Sequence, residues 1–319
     1  MSSRPDYTSF KTANGTEHSS ETFTPPRTPT SNTTSAHILF TEIQSIYTSL
    51  SSLPSLAPGE EINGLLTRLV QLCIEPHSPS FTSSFFAINS VPSLCESLRP
   101  ICASAEGELE AHWAQRICTE ACAPAAPPSK KELLGLFPYH QNYIDLSLIE
   151  CATLSAFLSK PAQRVAFVGS GPLPLTSLCM LDRYPEATVH NIDRDEDALR
   201  VSSELCEKLG YRGMTFARED VMCADSGSAT PWADFEVVFL AALVGMDTES
   251  KLSILASLAQ KMRPGALVVA RSARGLRAVL YPVLELSMEL DKTGLEVLAE
   301  VHPWTKVVNS VIVMRVKER

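Results

Sequence analysis

Two glutamates one helical turn apart, Glu106 and Glu110, are the side chains in this sequence best suited to acid–base chemistry. Residues four apart on a helix project from the same face, and Trp113 follows on that side. Two such carboxylates repel each other, and in a cleft beside an aromatic ring this raises the pKa of one of them into the range of a general base. The residue types alone favour the alternative, a solvated acidic face.

A second candidate site is the loop Gly169–Pro174, which follows the apolar run 164–168. Two closely spaced glycines after a strand let the backbone turn sharply, so that a nucleoside can bind at the carboxyl edge of a parallel sheet. A dinucleotide site would have a third glycine where Pro174 stands, and a plain structural turn is a further alternative. S-adenosylmethionine (SAM), which has no phosphate, fits better than NAD. The loop residues predicted to contact it are Gly169, Ser170, Gly171, Pro172 and Leu173.

Carboxylates also follow the next two apolar runs of the chain. Asp193 ends the second run, where an acidic side chain typically binds the ribose hydroxyls of a nucleoside. Asp220 comes after the third run, where it can accept a hydrogen bond from the adenine amino group. We also assign Val221 and Ala241, which follow the third and fourth runs, to the SAM site. Three features at strand ends favour SAM binding, although a single aspartate is more often a helix cap.

The elements that must position these residues belong to two regions. Apolar residues recur at helical spacing over 36–160, which predicts an all-helical N-terminal domain. Over 161–319 short β-branched runs alternate with helical stretches, which predicts a SAM-binding Rossmann-like domain with a doubly wound, seven-stranded α/β sheet. The last two runs lack a helix between them and should pair antiparallel at one edge. The predicted strands are 164–168, 187–192, 213–217, 235–240, 266–271, 295–301 and 307–316.

Composition and charge exclude several classes of function. The 319 residues are 45% hydrophobic, and the formal net charge of −9 with scattered basic residues argues against a nucleic-acid or anionic-membrane partner. The nine cysteines lie mostly among apolar neighbours without a Cys-x-x-Cys pair, which is typical of reduced thiols and favours the cytoplasm. We expect no transmembrane segment. Residues 1–35, rich in Ser, Thr and Pro, are predicted to be a disordered tail.

Several longer motifs carry a family resemblance. The segment 165–176, which contains the glycine loop, closely resembles the core segment of the nicotianamine synthases, and the similarity extends from about residue 36 to 316. The other segments that resemble this family are 136–143, 237–246, 271–275, Tyr281-Pro282, His302-Pro303 and 308–311. Long motifs in the same order are far more specific than a glycine loop.

The resemblance implies an enzyme on the fold of SAM-dependent methyltransferases that transfers the 3-amino-3-carboxypropyl group of SAM. Members of the family condense three SAM molecules into nicotianamine, a chelator of iron, zinc, copper and nickel, and release methylthioadenosine at each step. SAM is then the substrate, and no further cofactor is expected. The metal belongs to the product, which agrees with a sequence that has no His/Cys cluster at metal-ligand spacing.

The resemblance also implies roles for individual residues. The segment around the two glutamates is similar to a family motif whose register favours Glu110 as the base that takes the amine proton, with Glu106 as the second choice. Tyr139 is expected to be catalytic, and Asn142 and Tyr143 to anchor substrate. The reaction needs cations or hydroxyls to hold the substrate carboxylates. Arg271, at the end of a predicted strand, is our choice for a bidentate clamp, ahead of Arg274 and Arg277.

The sequence departs from the plant-type pattern at three positions. That pattern has tyrosine where His140 stands, aspartate where Asn191 stands and histidine where Arg274 stands. His140 and Arg274 could alter which amino-acid arm is accepted, so a close relative of nicotianamine is an alternative product. Two other functions stay open at this point: a SAM-dependent methyltransferase of a small molecule, and a SAM-binding protein without catalysis.

Overall fold

The computed structural model describes residues 31–122, 128–222 and 230–318. Within these ranges the chain forms a helical region followed by alternating strands and helices. The helices before the sheet are α1 (Ser31–Ser52), α2 (Glu60–Ile74), α3 (Pro79–Phe86), α4 (Val91–Ala121), α5 (Lys130–Leu134) and α6 (His140–Ser155). The elements after them are β1 (Arg164–Val168), α7 (Leu175–Arg183), β2 (Thr188–Asp193), α8 (Glu196–Lys208), β3 (Met214–Arg218), β4 (Val237–Leu240), α9 (Thr248–Lys261), β5 (Leu267–Ser272), α10 (Met288–Lys292), β6 (Leu295–Val301) and β7 (Ser310–Val316).

The predicted doubly wound sheet of seven strands is confirmed. Its strand order is β3-β2-β1-β4-β5-β7-β6, and β1 to β5 are parallel. The last two strands pair antiparallel at one edge, as the short link between their runs predicts. The order reverses beside β1, so the glycine loop after β1 lies at the switch point where open α/β sheets bind ligands.

Helices cover both faces of the sheet because its central strands are apolar on both sides. β4 and β5 are buried along their whole length. On one face the core contains residues of α9, and on the other it contains Leu146, Cys151 and Leu154 of α6. α6 therefore packs on the sheet, although it falls within the predicted N-terminal domain.

The remaining helical region has a core of its own, formed by α1 to α3 and the first half of α4. Leu276, Val279 and Leu280 complete that core. Leu276 and Val279 belong to a 3₁₀ turn at Gly275–Val279 that follows β5, and Leu280 comes directly after it, so the two regions are joined by packing as well as by sequence.

The predicted disordered tail overlaps the first helix. Residues 1–30 of that tail lie outside the described residues, whereas residues 31–35 form the first turn of α1. The helical region therefore begins earlier than the sequence predicts. Ala36 at the predicted boundary is fully buried, which shows that the first turns of α1 pack against the helical core.

Candidate active site

The glycine loop between β1 and α7 has the conformation that its glycines require. Gly169 and Gly171 have φ angles of 77° and 65°, in the left-handed region where side chains are disfavoured. A Cβ atom on Gly169 would lie 2.4 Å from Cγ2 of Val244 and 3.0 Å from Cβ of Ala241. The loop thus packs tightly against the segment that follows β4, which contains Ala241.

Three backbone amides of the loop already donate hydrogen bonds to residues at the carboxyl end of β2. Gly169 and Ser170 donate their N–H groups to the carbonyl of Ile192, over 2.8 and 3.3 Å, and Gly171 donates to Oδ2 of Asp193 over 2.9 Å. Pro172 and Pro174 have no N–H group to offer. The described loop therefore offers no amide cradle for a diphosphate, which supports the preference for SAM over NAD.

Asp193 is held in a fixed orientation beside this loop. Besides the bond from Gly171, its Oδ1 accepts from the backbone N–H of Asp195 over 3.1 Å. Each carboxylate oxygen keeps lone-pair capacity for a further donor. The side chain is partly exposed, so two neighbouring hydroxyls of a nucleoside could reach it.

The two glutamates of α4 face the same loop. A Cβ atom on Gly171 would lie only 2.7 Å from Oε2 of Glu110, so the carboxylate of Glu110 lies directly against the glycine backbone. Helix α4 also packs against α8, which helps to hold it in place. The structure therefore brings the candidate base to the candidate nucleoside loop.

Two tyrosines hold the carboxylate pair. The Tyr143 hydroxyl lies 2.8 Å from Oε1 of Glu110 and 3.4 Å from Oε1 of Glu106. The Tyr281 hydroxyl lies 3.1 Å from Oε2 of Glu106. A tyrosine hydroxyl has one proton to donate. Tyr143 therefore donates it to the nearer carboxylate, Glu110, and Tyr281 donates to Glu106.

Both glutamates have a raised pKa in the structure. Burial, reinforced by the charge of Glu106, raises the pKa of Glu110 to about 8, against the opposing effects of Tyr143 and Arg271. Burial also raises the pKa of Glu106, which the hydrogen bond from Tyr281 and the charge of Arg271 oppose. Both side chains are partly accessible. They are not the solvated acidic face that residue type alone favours.

Arg271 has a partner that the sequence did not predict. It forms a bidentate clamp, but on the protein's own Glu150: Nε donates to Oε1 over 2.9 Å and Nη2 to Oε2 over 3.2 Å. Nη2 also donates to the Thr176 hydroxyl over 2.6 Å, and the guanidinium lies 5.3 Å from the ring centroid of Phe167. Glu150 is fully buried and Arg271 is 6% exposed. The guanidinium is therefore already paired with a carboxylate of the protein itself, and its role as a clamp for a substrate carboxylate stays a prediction.

Tyr139, predicted to be catalytic, lies away from the carboxylates. It caps the start of α6, and its hydroxyl lies 3.5 Å from Oγ1 of Thr67 in α2. Among the described residues its hydroxyl has no hydrogen bond to Glu106 or Glu110. Tyr143, one turn later, makes those contacts. The catalytic role of Tyr139 stays a prediction, and Tyr143 is the tyrosine of this segment that contacts the carboxylates.

The other predicted ligand residues divide into two groups. Ser170 and Asn142 each have a buried oxygen, Oγ and Oδ1, without a hydrogen-bond partner in the described chain, so both can serve a ligand. Leu173, in contrast, is 1% exposed and packs in the core with α4 and α8, which removes its side chain from the site. Asp220 caps a local turn by accepting from the N–H of Met222, and Val221 packs on the sheet core.

Sequence reasoning missed Tyr281 and Glu150, which are the partners of Glu106 and Arg271. Tyr281 stood within a recognised motif, and only the packing of the 3₁₀ turn shows that it reaches Glu106. Glu150 had a readable signal: it lies four residues after Leu146 and four before Leu154, on the apolar face of α6. A charged residue at such a position needs a buried partner.

Across the three described ranges no group of three or more His, Cys, Asp or Glu side chains could hold a metal ion. No described helix is long and apolar enough to span a bilayer. The eight described cysteines are free thiols.

Comparison with known proteins identifies the family. A family model described as nicotianamine synthase protein matches residues 31–319. The chain belongs to the nicotianamine synthase family. Nicotianamine synthase 3 of Oryza sativa subsp. indica is 40% identical over 287 residues, with 87% of this chain and 78% of the relative covered. Nicotianamine synthase of Solanum lycopersicum is 39% identical over 277 residues, with 85% and 81% covered.

Solved structures resemble this nicotianamine synthase family member in fold. The crystal structure of MtNAS in complex with MTA and tNA has a TM-score of 0.71 at 21% identity, covering 88% of this chain and 99% of that one. A mutant of MtNAS in complex with S-adenosylmethionine gives a TM-score of 0.70 over the same shares. The helical region and the sheet thus recur together.

Proposed function

We propose that this protein is a nicotianamine synthase, which condenses three SAM molecules into nicotianamine and releases methylthioadenosine at each transfer. The observation that carries this proposal is the carboxylate of Glu110, held against Gly171 of the nucleoside loop with a raised pKa, in a chain of this family. A base at that place can remove a proton from an amine nucleophile, which is necessary because a protonated amine cannot attack carbon.

The chemistry requires one proton acceptor for each new bond. The acceptor nitrogen attacks the carbon of the aminocarboxypropyl arm next to sulfur, the carbon–sulfur bond breaks, and its electron pair neutralises the sulfonium. The nitrogen loses one proton, which Glu110 accepts. Three such steps, of which one closes the azetidine ring, convert three SAM into nicotianamine, three methylthioadenosine and three protons.

Positioning decides which carbon reacts, because a sulfonium has three electrophilic carbons. We assign the nucleoside to the glycine loop, with Asp193 on the ribose hydroxyls and Asp220 near the adenine. The buried oxygens of Ser170 and Asn142 are available to the amino-acid arm. Tyr143 orients Glu110 through its 2.8 Å hydrogen bond.

Two further assignments rest on the family. The product would chelate iron, zinc, copper or nickel through its amines and carboxylates, so metal homeostasis is the proposed role. The cytoplasm is the proposed compartment, since the described cysteines are free thiols, which a reducing environment maintains.

Incubation with SAM alone tests the function. We expect mass spectrometry to detect methylthioadenosine and a tricarboxylic product that contains an azetidine ring, because donor and acceptor are both SAM. A methyltransferase would leave SAM unchanged until an acceptor is added, and would then release S-adenosylhomocysteine. That outcome would overturn the proposal.

Gly171→Ala should abolish most of this activity. The new Cβ atom would lie only 2.7 Å from Oε2 of Glu110, so the carboxylate must move. The alanine would also have to adopt the φ of 65° that Gly171 has. The left-handed backbone costs about 1–2 kcal/mol of stability, and displacement of the base should lower kcat/KM for methylthioadenosine release by at least about tenfold.

Gly210→Ala is the matched control for this variant. Gly210 has the same φ of 65° but open space around it, so its variant carries the backbone strain without the collision. Similar catalytic losses in both variants would show that strain alone is responsible, and would remove Gly171 from the site.

A further inference from the structure

A pocket of about 460 Å³ lies outside the site described above. The first half of α4 forms one wall with Glu96 and Arg99, and the segment after β5 forms another with Arg274. Phe86, Pro92 and Val283 supply apolar surface between them. The pocket thus combines an apolar lining with two cations and one carboxylate.

The charged groups of this pocket do not neutralise one another. In the described part of the chain neither Arg99 nor Arg274 forms an ion pair, although Glu96 lines the same pocket. Arg99 is fixed by donating Nη2 to the carbonyl of Ala278 over 2.5 Å, and its buried Nε has no partner. Pro100 has no N–H group, so the carbonyl of Glu96 also loses its usual helical donor. The pocket therefore offers both cations and oxygen acceptors to a zwitterion.

The pocket and the two glutamates lie on the same elements of the fold. Arg99 lies seven residues before Glu106 in α4, which places both on nearly the same helix face, about 10 Å apart along the axis. The other wall is also linked to the glutamates through the chain. Arg274 lies three residues after the buried Arg271. Val283 lies two residues after Tyr281, which contacts Glu106.

Arg271 is already paired with Glu150, whereas the cations of this pocket are not paired with a carboxylate of the described residues. Resting on the function proposed above, we propose that this pocket binds the amino-acid end of the acceptor as its chain grows. Arg274 and Arg99 bind the α-carboxylate, and the side chain and carbonyl of Glu96 accept from the ammonium group. Arg274 is then a residue that determines how long an acceptor is elongated, at a position where the plant-type pattern has histidine.

Arg274→Gln tests this assignment, with nicotianamine as the probe. Arg274 is exposed and has no partner in the described structure, so the variant should fold. We expect its affinity for nicotianamine to fall at least about tenfold, the effect of one lost charge-assisted hydrogen bond, with an unchanged affinity for methylthioadenosine. The products from SAM should shift towards the shorter, two-unit intermediate. Arg99→Gln should act in the same direction.

Arg200→Gln is the control, since Arg200 is an exposed arginine of α8 paired with Asp197. Wild-type nicotianamine affinity and wild-type product ratios in Arg274→Gln would overturn the pocket assignment and leave the proposed function intact. If the wild-type enzyme makes no aminocarboxypropyl product at all, the proposed function itself fails.

Discussion

Glu110→Gln should lower kcat for methylthioadenosine release by on the order of 10² to 10⁴, the usual contribution of a general base. Glutamine keeps the shape of the side chain and can still accept the hydrogen bond from Tyr143, but it cannot take the amine proton. SAM binding, measured by calorimetry, should persist because the glycine loop and Asp193 are untouched. Loss of SAM binding together with activity would instead make Glu110 a binding residue.

Glu106→Gln is the matched comparison, because both glutamates lie in α4 and both accept a tyrosine hydrogen bond. Glu110 is the carboxylate against Gly171, so we expect the smaller kinetic loss from Glu106→Gln. The Glu106→Gln substitution should also lower the pKa of Glu110, because the negative charge of Glu106 is one of the causes that raise this pKa. A larger loss from Glu106→Gln would assign the base to Glu106.

The same base predicts a pH dependence. Glu110 acts when deprotonated, and its pKa is raised to about 8, so kcat/KM for SAM should increase with pH through that region. Tyr143 lowers this pKa by donating to the carboxylate, and Tyr143→Phe should therefore move the rising limb to higher pH. A flat profile between pH 6 and 9 would contradict a base with this pKa.

Most of the sheet could be predicted because its signals are local. Each strand is a short β-branched run bounded by a turn, and Leu295–Val301 begins and ends at the predicted residues. The prediction for the fourth strand started too early because residues 232–234 form a 3₁₀ turn ahead of Val237. The role of α6 on the sheet depends on packing partners distant in sequence, which periodicity does not reveal.

The site could be predicted in its residue types but less well in its pairings. Glu110 lies against the glycine loop, but the sequence did not predict that Tyr143 would donate its hydrogen bond to this carboxylate. The partner of Arg271 could not be read from strand position, which indicates where a guanidinium points but not which carboxylate reaches it. Tyr139 and Tyr143 differ by one helical turn, and only the orientation of α6 selects between them.

Glu150→Gln is the second variant with a large expected effect. Removal of one partner leaves the buried charge of Arg271 uncompensated, which typically costs about 3–5 kcal/mol. In a chain of this size the melting temperature should fall by on the order of 10 °C. Glu296→Gln, which breaks the half-exposed pair with Arg315, should cost at most about 1 kcal/mol. Equal losses in the two variants would contradict the importance of burial.

The double variant Glu150→Leu/Arg271→Met separates a structural from a substrate-binding role for Arg271. Replacing both members of a buried ion pair removes the unpaired charge, so the double variant should be more stable than either single variant. Because the guanidinium already holds Glu150 and Thr176, the double variant should also retain SAM affinity. If the double variant were as stable as the wild type but its SAM affinity fell sharply, Arg271 would bind a substrate carboxylate, which would replace Glu150 as its partner. The electrostatic balance beneath Glu106 would then change with every substrate that enters the site.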